Sequence, residues 1–321
     1  MPAAFAFGHS LNHHRYNNGP LDVVSTADKP RDSFINFITY LTRWFLYSLN
    51  ISTFLQFISE KKYSIAQKIF CGSLYWWSWF ALFSLYLNHF IFAIGYILYP
   101  FAENVLLLAA INWAWHAFIN PNHHDDEYVG SLTIFKSPLN VLNENYHVIH
   151  HQYPNLHWSL SPYKLLKHYK DYVGSGKASM FTKTHPFELF FYIILKDYQS
   201  LVNHFIEFKT EKQAIHCFKA EQSSEYEAEY EAEYEAECQS KEYQDSMIKN
   251  EEIVNLLKAR LRECSWGPRY QNNRRTSLRR SKHQIEEGRR EDEEEEEERE
   301  RVDDEELGVE ESIDHHLKKW V

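Results

Sequence analysis

The sequence predicts an all-α integral membrane protein: a helical bundle in the bilayer, a cytosolic helical cap carrying histidines, and a disordered, charged C-terminal tail. Three observations lead there. Residues 69–119 form an apolar, aromatic run without a single Lys or Arg. Histidines crowd into two short stretches, 9–14 and 147–151. After Phe218 the composition switches to Glu, Arg, Lys, Gln and Ser. The boundaries that follow are a membrane part at 1–218 and a low-complexity tail at 219–321. The tail carries most of the acidic excess behind the net charge of −11. That sign argues against nucleic acid as a partner.

Cys71, Cys217, Cys238 and Cys264 are far apart and form no CxxC pair. This argues against a disulfide framework or thiolate metal site and fits a reducing, cytosol-facing setting. Met1 to Gly8 has neither the basic start nor the apolar run of a signal peptide. The chain reaches its first histidines by residue 9, so it is expected to start within a domain.

In order, His9, His13 and His14 come first. His9 and His13, four apart, share a helical face, and His14 lies about 100° further round, within reach of a second metal. Asn17-Asn18-Gly19-Pro20 ends that helix. Residues 34–58 are apolar but interrupted by Asn36, Arg43, Asn50 and Gln56, which predicts one or two helices in the membrane interface. There Arg43 would snorkel toward headgroups. The sequon at Asn50 falls on the cytosolic side and is read as accidental.

The run 69–119 is long enough for two crossings of a core roughly 30 Å thick, with Pro100 as a kink or turn. Lys61, Lys62 and Lys68 precede it, and Lys136, Lys164 and Lys167 follow, so both ends are expected in the cytosol. Two crossings return the chain to the side it left, placing both histidine clusters on one face. At the exit stand Asn112 and His116, one helical turn apart. An ionisable side chain beside a span is a functional candidate by default; the bland alternative is an interfacial histidine among tryptophans. His123 and His124, next to Asp125 and Asp126, read better as a solvated loop.

His147, His150 and His151 then project from one face of a helix predicted over 143–151 and ended by Pro154. Neutral imidazoles suit iron, zinc, copper and nickel alike. Glu144 and His157 are read as supports that orient the ligands, or as packed residues. Residues 187–208 are apolar but carry Lys196, Asp197 and Gln199, and are expected to pack or lie in the interface. Beyond 219 come a Glu-Tyr-Glu-Ala repeat, a short apolar helical pattern at 248–261, a basic stretch, an acidic block, and a kinase-site-like Arg274-Arg275-Thr276-Ser277 of low specificity. Such composition buries too little apolar area to fold, leaving at most a transient helix.

The H-x3-HH box at His9, His13 and His14, the H-x2-HH box at His147, His150 and His151, and the Asn112/His116 pair between them resemble the membrane fatty acid desaturase and hydroxylase superfamily. The likeness covers residues 5–175 or so. It implies a histidine-ligated di-iron centre whose ligands are His9, His13, His14, His116, His147, His150 and His151, with Asn112 binding through water. It also implies O2, a fatty acyl or lipid substrate, a cytochrome b5 or ferredoxin type electron donor, and residence in the endoplasmic reticulum membrane. The superfamily carries an earlier histidine box, so this chain is expected either to lack an N-terminal part or to be a member that has lost its first ligands. Desaturase and hydroxylase stay open as activities, as does a metal-poor relative; a zinc hydrolase fits less well, lacking an H-E-x-x-H motif.

Overall fold

The computed structural model describes residues 4–120, 130–168, 179–206 and 245–264, all within one unit, Met1–Gly267. The 123–126 loop, the Glu-Tyr-Glu-Ala repeat and the kinase-like site lie outside the described residues. Helix α1 begins at Phe5–Gly8 and continues as a π-helical turn over His9–His14. α2 (Phe34–Ser48) and α3 (Ile51–Ser59) follow, separated at Asn50, whose φ of 62° breaks the helix. The interfacial stretch is thus two helices. Its Arg43 is not free for headgroups: it pairs with Asp28 at 2.7 Å and donates to the Ser25 carbonyl.

Next comes a helical hairpin. α4 (Tyr63–Ala81, widening to a π-turn at Leu82–Tyr86) leads through Leu87–His89 into α5 (Phe90–Trp115). Phe83 meets Phe92 at 4.9 Å and Trp76 meets Phe101 at 5.3 Å, so the two run antiparallel. The reversal is made by Asn88, at φ 54°, and not by Pro100. Proline lacks an N–H and crowds the carbonyl four residues back. The π-turn at Ile94–Leu98 relieves that conflict, and α5 runs on unbroken.

Among the described residues one helix, Phe90–Trp115, is long and apolar enough to cross a membrane. Its 26 residues span about 39 Å. The expected second crossing, α4, has the length but carries Lys68 and many Tyr, Trp and Ser residues. Around the hairpin tip Leu85 and Ile91 are more than 80 % exposed.

The core lies at the other end of α5. Phe37, Tyr40 and Trp44 of α2 pack on Val105, Ala109 and Trp113 of α5, joined by Leu189 and Ile193 of α8 (Pro186–Leu195). Small residues at 109, 110 and 114 admit the close approach. α6 (His147–Gln152) and α7 (Ser161–Lys167) flank a three-stranded sheet, a departure from the all-α expectation. β1 (Leu132–Phe135) pairs in parallel with β2 (Ser179–Thr182), and β2 pairs antiparallel with β3 (Phe205–Ile206), which follows α9 (Tyr198–His204). Strands of four residues or fewer are too short to show a period.

α10 (Asp245–Arg262) corrects the expectation that nothing beyond 219 packs: its Leu257 and Leu261 are buried in the core. Ile253, Val254, Leu257 and Leu261 fall on one helical stripe, and that stripe carries the docking.

Candidate metal centre

Three segments bring seven imidazoles together. α1 delivers His9, His13 and His14. Gly8 lets it lie close to its neighbours, for a Cβ there would stand 3.0 Å from Thr53 and 3.3 Å from Tyr47. In an α-helix, residues five apart point about 140° from one another. The π-turn closes that angle, so His9 and His14 meet, Nε2 to Nε2, at 2.9 Å. His116 caps the end of α5. α6 begins only at His147, because Leu142 and Asn143 take left-handed backbone at φ 51° and 53°. It is thus shorter than the helix expected over 143–151, and it ends as Pro154 requires.

The rings sort into two groups. His13, His116, His147 and His151, all buried, offer ligand atoms within 4.8 Å of one another. His9, His14 and His150, nearer the surface, form the second such group. Each histidine box is therefore divided between the groups, and His9 teams with His14 instead of His13. The groups touch through His14 and His151, stacked with centroids 4.5 Å apart.

Around the inner group the fold dictates which nitrogen faces inward. His13 donates from Nδ1 to Asp22 Oδ2 at 2.7 Å, both side chains buried. Asp22 in turn accepts from the backbone of Asn18 (3.1 Å) and Val24 (3.0 Å). That loop is pinned to α1 by Asn12, which donates to Leu21 and accepts from Val23. His116 Nδ1 donates to the Gly130 carbonyl, leaving Nε2 3.2 Å from His147 Nε2. A Cβ at Gly130 would lie 2.8 Å from Asn17 Oδ1, so a larger residue there would have to displace the Asn17 side chain. His147 stacks on Trp115 at 4.0 Å.

His13 Nε2, both nitrogens of His151, and Nδ1 of His9, His14 and His147 are buried without a hydrogen-bond partner. Buried polar atoms are rarely left so. At His13 the orphaned Nε2 stands opposite an Nδ1 tied to Asp22, an arrangement that a metal ion at Nε2 would satisfy. Burial, reinforced by the neighbouring imidazoles, pulls His9 down to about 3 and His150 to about 4 from 6.5. The same causes hold His14, His116, His147 and His151 well below that value. Neutral at pH 7, these rings are in the ligating form.

The other predicted site residues fare differently. Asn112 is buried, one turn before His116, and its Nδ2 donates to Tyr40 Oη at 2.7 Å. Glu144 precedes α6 and makes no hydrogen bond to any of the seven histidines; burial raises its carboxyl. His157 is exposed and spends Nδ1 on Ser159, starting the short turn Trp158–Leu160. Neither hydrogen-bonds to the seven histidines. The residues that contact them from behind, Asp22, the Gly130 carbonyl and Trp115, went unnoticed in the sequence. Asp22 alone left a trace: an acidic residue just past a turn that follows a histidine box.

The family model described as fatty acid desaturase matches residues 1–183, a stretch holding all seven histidines and Asn112. No curated protein and no solved structure matches the chain. A match over more than half of the chain, with the histidines clustered as a metal site, places this protein in the fatty acid desaturase family.

Proposed function

We propose that this chain is an O2-dependent membrane lipid or fatty acid desaturase whose di-iron centre is held by the two imidazole groups. The observation that supports it most is the pair of adjoining all-histidine groups, buried and with uncommitted ring nitrogens, inside the family-matching stretch. Four inner rings would hold one ion and three outer rings the second. Asn112 would complete the set through water, its amide orientation held by Tyr40. Bound iron would supply the oxidising power to break unactivated C–H bonds with O2.

The protein's own part is geometric. Asp22 and Gly130 hold the tautomers of His13 and His116. Phe37 and Tyr40 pack on Trp113, which fixes the Tyr40 hydroxyl that Asn112 reaches. The reaction removes two hydrogens from adjacent methylenes. With two electrons, delivered one at a time by a donor of the cytochrome b5 or ferredoxin type, and two protons from solvent, O2 would leave as two waters.

In this reading α4 and α5 form a membrane hairpin, α2 and α3 lie at the interface, and the histidine cap faces the cytosol of the endoplasmic reticulum. Residues 1–218, with α10 docked against them, form the catalytic part. The apolar exposure of the hairpin tip supports the placement. The test is expression of the full chain in cells fed defined fatty acids, with mass spectrometry of the lipids. A new double bond, absent in His147→Ala, supports desaturation. A new hydroxyl group assigns the hydroxylase activity instead, and unchanged lipids from a protein without iron refute both.

A further inference from the structure

The Arg31 guanidinium is wholly buried, at 0 % exposure, and among the described residues no carboxylate pairs with it. Its protons go to four backbone carbonyls. Nε donates to Ala117 (2.9 Å), Nη1 to Lys29 (2.8 Å) and Glu263 (2.5 Å), and Nη2 to Arg260 (2.6 Å). Arg260 lies in the last turn of α10 and Glu263 just beyond it, where carbonyls have no partner within the helix and the dipole is negative. Ala117 follows His116 directly. The backbone is stitched along the same line: Arg31 N donates to Leu261 O at 2.8 Å and Ile119 N to Arg260 O at 3.2 Å. Thr26 Oγ1 donates to the His116 carbonyl at 2.8 Å, and Trp113 Nε1 to the Arg31 carbonyl at 3.0 Å. Outside this cage Arg262 and Tyr198 both reach Asp32 at 2.9 Å.

We infer that α10 is a built-in latch on the metal centre and that Arg31 is a positioning residue, whose guanidinium ties the end of α10 to the backbone just after His116. The inference rests on the reading of His116 as a metal ligand. A buried cation stripped of two of its four acceptors is strongly disfavoured, so undocking α10 forces Arg31 to seek water and carries residues 116–119 with it. His116 has little room for that, because the inner ligand atoms lie within 4.8 Å of one another. α10 lies beyond the family-matching residues 1–183, so the latch belongs to this chain's own C-terminal region.

The test uses the full-length chain in detergent, loaded with ferrous iron alone. Compared with it are Arg31→Met, Arg31→Lys, the pair Leu257→Asp with Leu261→Asp, and Glu252→Gln on the exposed face of α10. Two readouts are followed: iron release to a chelator, and proteolysis within α10 without metal. Arg31→Met and the leucine pair should release iron about 10–100-fold faster, with α10 opened to cleavage. Arg31→Lys, lacking the planar fork, should fall between, and Glu252→Gln should match the parent. Parent-like release from Arg31→Met, or undiminished protection of α10, overturns the latch. A parent chain that holds no iron sinks the histidine reading instead, while the proteolysis arm still decides whether Arg31 holds α10. Should the charged pair aggregate, Leu257→Ala trims the same face without a charge, and unchanged release from it also overturns the latch.

Discussion

The inner and outer histidine groups, four imidazoles and three, are built from the same side chain yet held in opposite ways. His13 and His116 of the inner group are anchored from behind by Asp22 and Gly130, and His147 by the face of Trp115. In the outer group His9 and His14 meet only one another through Nε2, with Phe5 stacked on His9 at 5.8 Å and His150 partly exposed. Anchored rings impose a geometry on an ion, whereas unanchored rings adapt to one. The inner group should therefore bind metal more tightly and exchange it more slowly.

The sharpest way to break this contrast is to delete a ring from each side. His151→Ala, in the middle of the inner group, should abolish lipid oxidation and remove iron from both groups, because His151 also stacks on His14. His150→Ala should lose iron from the outer group alone, so equal iron loss in the two variants, measured by elemental analysis, would void the distinction. Next in size is Asp22→Asn, which keeps the shape but weakens the bond to His13. It should cost about 10–100-fold in metal affinity, read by chelator competition; Asp28→Asn, which breaks a partly exposed pair with Arg43, should leave affinity unchanged.

A third effect concerns protons. In the metal-free chain the buried rings stay neutral below the pH at which unfolded histidines charge, so the unfolded state binds more protons under pH 6.5. Stability should be level above 6.5, and fall as pH drops through about 4 for His150 and about 3 for His9. Thermal unfolding in detergent checks it; a midpoint insensitive to acid would mean the rings are not buried as described. The smallest effect is expected of Trp115→Phe, which keeps an aromatic face on His147 and should change iron release by no more than about threefold, on the order of 0.5 kcal/mol.

The clustered histidines were legible because six of the seven lie in two boxes of short, helical spacing. Local periodicity, however, misassigned how they share the work. It put His9 with His13 on an α-helical face, whereas the π-turn pairs His9 with His14. It also extended α6 back over Glu144, where left-handed Leu142 and Asn143 forbid a helix. His157 looked like a support by nearness in sequence alone, and is tied up with Ser159. The short strands and the docking of α10 were invisible for another reason: what stabilises them is contact with residues far away in the chain.

Residue types and their short-range spacing sufficed for the family, the helical character, the clustering histidines and the apolar hairpin, since all of these are properties of neighbours along a helix. The division of the imidazoles into two groups, Asp22 and Gly130 behind them, and the Arg31 cage that reaches α10 were decided only in three dimensions. Hydrogen bonds such as Arg31 to Arg260 join positions more than two hundred residues apart, and no local pattern encodes which buried charge will meet which carbonyl.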